Sequence, residues 1–453
     1  MPKLNPQIGV INTFRTQKSE PHFALGEFID NSIDSFIKNE SALKKLDPDF
    51  KPYIDITLDK ENNLITIEDN CAGIAEADEE RAFSIGSSNP NKRDIGTYGM
   101  GMKVSAFWFS SSWEVVTKNI EENFEKTFIL DLPKIIETGS SEDKKIKSDG
   151  EPFTKIVLNN IYPGKFPNSA SKQRLLKNYL YDIYKFMIED KEITIKLNDS
   201  PLKPSKTWQI FKKRYIFDKK GGDKKWITEI PEFDLGEIIR EGEKISLSVI
   251  GGAAYLKDPG TTKNQKGFSI YWKNRMVDGH ELKPWMPNPV TYPDDKEFQI
   301  FDAPNQEISR RLEGWIHICE DYQVPSTKDG VEWAGTEEKL IIKLKEYLEN
   351  ATLLHDTSGK KYNFLEQTKS ISELNKEDKD ESVDETDREV EEDLNENDDI
   401  KIPPIPDDPI VDFGGFDEDG KPFVFSPSKE SFKVNYLETT WEITARIIRT
   451  NND

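Results

Sequence analysis

Two cysteines and four histidines are all that 453 residues contain of the usual soft metal ligands. Cys71 and Cys319 cannot build a disulfide framework, and four scattered histidines offer no zinc-like spacing. Nowhere do eighteen apolar residues run together, so no membrane span is expected. The opening MPKLNPQIGVINTF lacks a basic stretch followed by an apolar run, so it does not read as a signal peptide. No helix-turn-helix, zinc-finger or RNA-binding signature occurs. These absences describe a soluble, cytoplasmic chain.

Excess positive charge is also missing. The net charge of -22 argues against a nucleic-acid partner until its location is considered. Lys376 to Asp399 holds fourteen acidic and three basic residues, so half of the excess sits in one short segment. The remainder is only mildly acidic.

What is present begins with Phe23 to Lys38, FALGEFIDNSIDSFIK. On a helix, Leu25, Phe28, Ile29, Ile33 and Phe36 form an apolar arc. Glu27, Asp30, Asn31 and Asp34 fall on the opposite side. Three carboxylates and an amide on one stripe suit a base and a metal ligand, and equally suit a solvated face.

After this helix, Tyr53–Leu58 and Leu64–Glu68 alternate as a β-hairpin, ending in the turn Asp69-Asn70-Cys71-Ala72-Gly73. Ala75–Ile85 has helical character. Gly86–Gly101 is a long Gly-, Ser- and Asn-containing loop, of a length that usually serves as a lid. Lys103–Phe109 opens a helix, and strands are expected at Trp113–Lys118, Thr127–Asp131 and Thr154–Leu158. Ser140–Gly150 reads as a polar surface excursion.

A second α+β unit is expected from about Ile161. It contains a helix at Ser171–Met187, strands at Ile193–Leu197, Lys244–Leu256, Gly267–Val277 and Leu312–Glu320, and a helix at Thr336–Leu353. Residues 356–400 lose apolar periodicity and read as an acidic disordered linker. Residues 401–453 start Pro-rich and continue as a small β-rich module, with strand candidates at Pro422–Phe425 and Phe432–Ile448.

The Gly-rich loop needs sorting. Gly96-Thr-Tyr-Gly99-Met-Gly101-Met-Lys103 is not a Walker A loop, because Met102 separates glycine from lysine and Val104 follows. It also fails as a dinucleotide fingerprint, since Val104 stands where the third glycine belongs. A Gly-x-x-Gly-x-Gly run opening a helix still presents backbone N–H groups to a phosphate.

Order makes these signals specific. A helix with Glu-x-x-x-Asn-x-x-Asp precedes strand-end Asp-x-x-x-Gly, then Gly-x-x-Gly-x-Gly-x-Lys, then a strand opening with Thr154. In this succession the chain resembles the GHKL ATPase superfamily, which includes gyrase B, heat-shock 90-type chaperones, histidine kinases and MutL. The phrase IGTYGMGMKVSAF looks most like MORC-like ATPases. The resemblance implies a Bergerat-type ATP-binding α/β sandwich over residues 1–160, followed at 161–355 by an S5-like α/β transducer domain.

The resemblance also implies roles. Asp69 would accept the adenine amino group, with Gly73 permitting close approach. Asn31 would hold Mg²⁺, and Glu27 would orient or deprotonate the attacking water. Gly96, Gly99, Gly101 and Lys103 would hold the phosphates. Asp34 and Thr154 would support the pocket. Lys328, in Pro325-Ser-Thr-Lys328, falls where these families present a transducer lysine to the γ-phosphate. Asn274 and Arg275 match an Asn-Arg pair, with a structural role expected. Cys71 departs from the glycine common at its position and reads as small packing.

The reading at this level is an ATP- and Mg²⁺-dependent ATPase switch that forms a homodimer on ATP. Its alternative is a nucleotide-gated or chaperone-like module with negligible turnover. DNA, or a nuclease or helicase partner, enters by analogy alone.

Overall fold

Pro21 opens the 26-residue helix α1 (Pro21–Leu46), where its missing N–H costs nothing. Lys44 and Lys45 in the last turn oppose the negative helix end. Leu25, Phe28, Ile29 and Ile33 are buried, each side chain contributing roughly 2 kcal/mol. Phe36 is only half-buried. The computed structural model describes residues 14–15, 19–83, 101–138, 141–190, 192–204, 227–256, 267–279, 285–301, 307–325, 328–350, 352–355, 361–363, 431–436 and 439–444.

Strands β1 (Tyr53–Asp59) and β2 (Leu64–Asp69) pair antiparallel, with Ile54, Ile56, Leu58, Ile65 and Ile67 all turned inward. After a short helix α2 (Glu79–Phe83), helix α3 (Gly101–Phe109) leads into β3 (Ser112–Lys118) and β4 (Phe124–Asp131). Helix α4 (Leu132–Thr138), β5 (Glu142–Lys147) and β6 (Phe153–Asn159) follow. The segment expected to be a surface excursion is therefore a strand. Its residues are exposed, and it pairs with β4 as the edge of the sheet. Charged side chains on a two-sided exposed edge hide a strand from pattern reading and also protect that edge.

Helix α5 (Ala170–Glu189) is capped by Ser169, whose hydroxyl accepts from the Lys172 N–H at 3.2 Å. It returns the chain to β7 (Thr194–Leu197) and β8 (Ser200–Pro201). β7 lies parallel to β1, so the eight-stranded sheet runs β5-β4-β3-β6-β2-β1-β7-β8. The first sheet thus extends past the boundary expected at residue 160.

A second sheet has the order β10-β11-β14-β12-β13, with β9 also pairing β11. Its strands are β9 (Ile227–Ile230), β10 (Phe233–Arg240), β11 (Glu243–Leu256), β12 (Gly267–Trp272), β13 (Arg275–Asp278) and β14 (Leu312–Ile318). The single strand expected at Gly267–Val277 is a hairpin. Lys273 (φ 51°) and Asn274 (φ 60°) make its two-residue turn, which suits the twist of the flanking strands. Helix α6 (Glu307–Arg311) precedes β14, and α7 (Glu337–Asn350) buries Leu340, Ile341, Leu344 and Leu348.

Both sheets belong to one compact unit, Met1–Leu374. Within it β15 (Thr352–His355) pairs β16 (Lys361–Asn363), so part of the expected linker is strand. The rest of 356–400 lies outside the described residues. In the second unit, Asn375–Asp453, a hairpin of β17 (Ser431–Tyr436) and β18 (Thr439–Thr444) is described, where one strand was expected at Phe432–Ile448. Pro422–Phe425 lies outside the described residues. Among the described residues no helix is long and apolar enough to cross a membrane.

Candidate functional site

The polar stripe of α1 divides once its surroundings are known. Glu27, Asp30 and Asp34 are buried, whereas Asn31 is exposed. Asp30 is the most enclosed. Its carboxylate receives Arg275 Nε at 2.9 Å on both oxygens, Tyr184 OH at 2.7 Å and Lys328 Nζ at 2.8 Å. Burial pushes this carboxyl up, but Arg275 and Lys328 overcome that and hold it below the usual range. Burial would likewise lower Lys328, yet Asp30 and Glu27 keep its ammonium above the ordinary lysine value.

Lys328 also donates to Glu27 Oε1 at 2.5 Å. It comes from the loop after β14, 301 residues away in sequence, so the two sheets meet at the residues expected to do chemistry. Glu27 Oε2 in turn lies against the first residue of α3. A Cβ at Gly101 would fall 1.8 Å from that oxygen, so any larger residue there would displace the Glu27 carboxylate.

Asp69 ends β2 and is buried. Ser32 Oγ donates to it at 2.6 Å and the Cys71 N–H at 2.9 Å. Burial raises its carboxyl to about 6 despite these donors. Gly73 follows in the left-handed region (φ 71°), where a Cβ would strike the Lys118 carbonyl at 2.1 Å. Thr154 stands opposite Asp69 in the β2–β6 register, and its hydroxyl lies 3.3 Å from Thr117 Oγ1. Cys71 is fully buried, and burial followed by the Asp69 charge pushes its thiol far up, consistent with packing rather than reactivity.

Of the expectations on the Gly-rich segment, the one on Lys103 changes. Gly96 and Gly99 lie outside the described residues. Lys103, expected at the phosphates, is instead buried with its ammonium donating to the Arg81 and Ala82 carbonyls at 3.1 Å. It holds the C-terminal end of α2, a good place for a cation. Burial and then Arg81 lower it to about 8. Close by, Lys126 pairs with Glu79 at 2.7 Å and Glu122 at 2.9 Å, so the start of α2 is pinned as well.

The donor set can be tested against the groups it would receive. Asp69, Ser32 and the close-approach glycine Gly73 suit the polar edge of a base. Among the described residues no group of three or more His, Cys, Asp or Glu could hold a metal ion. An exposed amide at Asn31 fits Mg²⁺ only in the manner usual for that ion, with phosphate oxygens and water completing the shell.

Residues 19–158 match the family described as histidine kinase-, DNA gyrase B-, and HSP90-like ATPase. That match supports a GHKL-type ATPase domain in this segment, consistent with ATP binding and conformational switching. The ATPase region of Saccharomyces cerevisiae topoisomerase II bound to ICRF-187 (dexrazoxane) is similar at 14% identity and TM-score 0.41. The two cover 68% of this chain and 77% of that one. A second structure of the same region aligns at 13% identity and TM-score 0.40, with the same coverages. No curated protein matches the chain.

Sequence reasoning missed the centre of the cluster. Asp30 was placed on the polar stripe but given no role, although its i, i+3 spacing from Glu27 on α1 was visible. Tyr184 and Ser32 carried no signal. Arg275 was expected to be structural, and it is fully buried in an ion pair.

Proposed function

We propose that the chain is a Mg²⁺-dependent ATPase switch of MORC-like type. The observation that carries this reading is the meeting of Glu27 with Lys328, beside Gly101 at the mouth of α3. Asp69 reads the adenine amino group, supported by Gly73, Asp34 and Thr154. Asn31 holds Mg²⁺, which when bound neutralises phosphate charge. Glu27 orients and deprotonates the attacking water, and Lys328 reports the terminal phosphate from the second sheet, the transducer of this reading. Gly96, Gly99 and Gly101 offer backbone donors to the phosphates. Lys103 steadies the base of the lid through α2, and reaches the phosphates only by leaving those carbonyls.

On this reading ATP draws two copies into a homodimer that hydrolysis releases. The work served is DNA maintenance or antiviral defence in the cytoplasm, with DNA or a nuclease or helicase as partner. Phosphate release and ATP-dependent dimerisation are the test, in wild type, Glu27→Ala and Asn31→Ala. Glu27→Ala should bind nucleotide and lose turnover by on the order of 10²-fold or more. Undiminished turnover would remove Glu27 from its role. Retained dimerisation in an Asn31→Ala protein that no longer binds nucleotide would break the coupling.

The tight pairing of Glu27 with Lys328 also favours a second reading, a nucleotide-gated module with negligible turnover. Nucleotide binding without measurable phosphate release would select it.

A further inference from the structure

Arg275 is enclosed on every side yet has contacts on both sides of the site. Its Nε donates to both oxygens of Asp30 on α1. Its Nη1 donates to the main-chain carbonyls of Met276 at 3.1 Å and of Lys328 at 3.4 Å. Its Nη2 lies against Gly26, where a Cβ would come within 3.3 Å of both Nη2 and the Tyr184 hydroxyl. Lys328 is itself in the left-handed region (φ 51°), with its N–H donating to the Pro325 carbonyl at 2.8 Å. A non-glycine residue stays in that conformation only when its surroundings over-determine it.

We propose that Arg275 is a positioning residue that fixes Lys328 at both ends, the main chain through the Lys328 carbonyl and the ammonium through Asp30. The guanidinium fork thereby aims the ammonium at a point where Glu27 and a terminal phosphate compete for it. Asp30 is bonded to Arg275 and Tyr184 as well as to Lys328. When Lys328 swings toward a phosphate, Asp30 therefore keeps a compensating charge and a donor. Glu27 alone loses its cation, and becomes free to act on water. One ammonium so links the presence of a third phosphate to the availability of the base. This inference rests on the ATPase reading above.

Lysine at position 275 would keep the charge but not the fork, which separates positioning from simple charge compensation. The experiment uses the full chain as wild type, Arg275→Lys and Tyr184→Phe. It measures dissociation constants for ADP and for a non-hydrolysable ATP analogue, together with phosphate release. In Arg275→Lys, ADP affinity should change by less than about twofold while analogue affinity falls about tenfold. Turnover should fall on the order of 10²-fold, the effect of a misplaced group. Tyr184→Phe should show the same pattern with smaller losses, and it decides the matter if Arg275→Lys does not fold. Equal losses for ADP and analogue, or wild-type values throughout, would overturn the proposal. A wild-type protein that binds neither nucleotide overturns the ATPase reading itself, before any variant is compared.

Discussion

A carboxyl that burial holds near 6 carries a proton for part of the time just below neutrality, and Asp69 is in that position. Its ionised form is the better acceptor for an adenine amino group. Affinity for ATP and ADP alike should therefore weaken as pH falls through about 6, and titration calorimetry across pH 5 to 8 would show it. Stability runs the other way. A raised acid favours the fold fully below its unfolded value near 4, and that contribution is lost as pH rises through 6. Asp69→Asn should consequently be more stable than wild type at pH 7.5, by roughly 2 kcal/mol, and so melt higher, while binding nucleotide poorly and without the acid slope. A lower melting point would show that the Ser32 and Cys71 hydrogen bonds outweigh the buried charge. Glu27 and Asp69 could be singled out from sequence as candidates because each sits in a short local pattern. Asp30 could not, since its partners Tyr184, Arg275 and Lys328 lie 154 residues or more away along the chain.

Among the elements, the turn after β2 and the start of α3 are where backbone alone makes the site. Gly73 combines a left-handed φ with close approach to the Lys118 carbonyl, so alanine there meets both strain and collision. Gly73→Ala should destabilise the fold by about 1 to 3 kcal/mol in chemical denaturation. It should also displace the corner beneath Asp69 and lower ADP affinity. Unchanged binding would detach this turn from the base pocket. Alternating apolar strands such as β1 and β2 were readable because one face is buried. The edge strand β5 was not, because Glu142 to Lys147 is exposed on both faces and has no apolar rhythm. The β12–β13 hairpin was hidden for a different reason. Its turn residues Lys273 and Asn274 break the apolar run GFSIYW only briefly, and they include no glycine of the kind that usually marks a two-residue turn. The carbonyls held by Lys103 were likewise beyond pattern reading, since a lysine after glycines looks the same whether it faces a phosphate or a helix end.

For the whole molecule, the acidic run from Lys376 to Asp399 and the balanced cluster of Glu27, Asp30, Arg275 and Lys328 use charge in opposite ways. The first gathers like charges along the sequence. The second is neutral in sum, buried, and joins the two sheets of Met1–Leu374. Helix α5 contributes to both ends of that joint. Tyr184 reaches Asp30 on α1, and the Asp182 carbonyl accepts from Tyr271 on β12 at 2.7 Å.

The parallel pairing of β7 with β1 carries the first sheet beyond the segment that matches a family. The match to the histidine kinase-, DNA gyrase B-, and HSP90-like ATPase family stops at residue 158, whereas the sheet that this segment enters ends only at Pro201. A fragment cut at the limit of recognisable kinship would leave β1 an open edge and strip Ile183, Ile195 and Leu197 from the core. Such a fragment should aggregate or remain partly unfolded by circular dichroism. Extending it to residue 204 should recover more ordered signal, and equal behaviour of the two fragments would deny the later strands that part. The edge left open by such a cut is thus closed by residues that the family match does not reach.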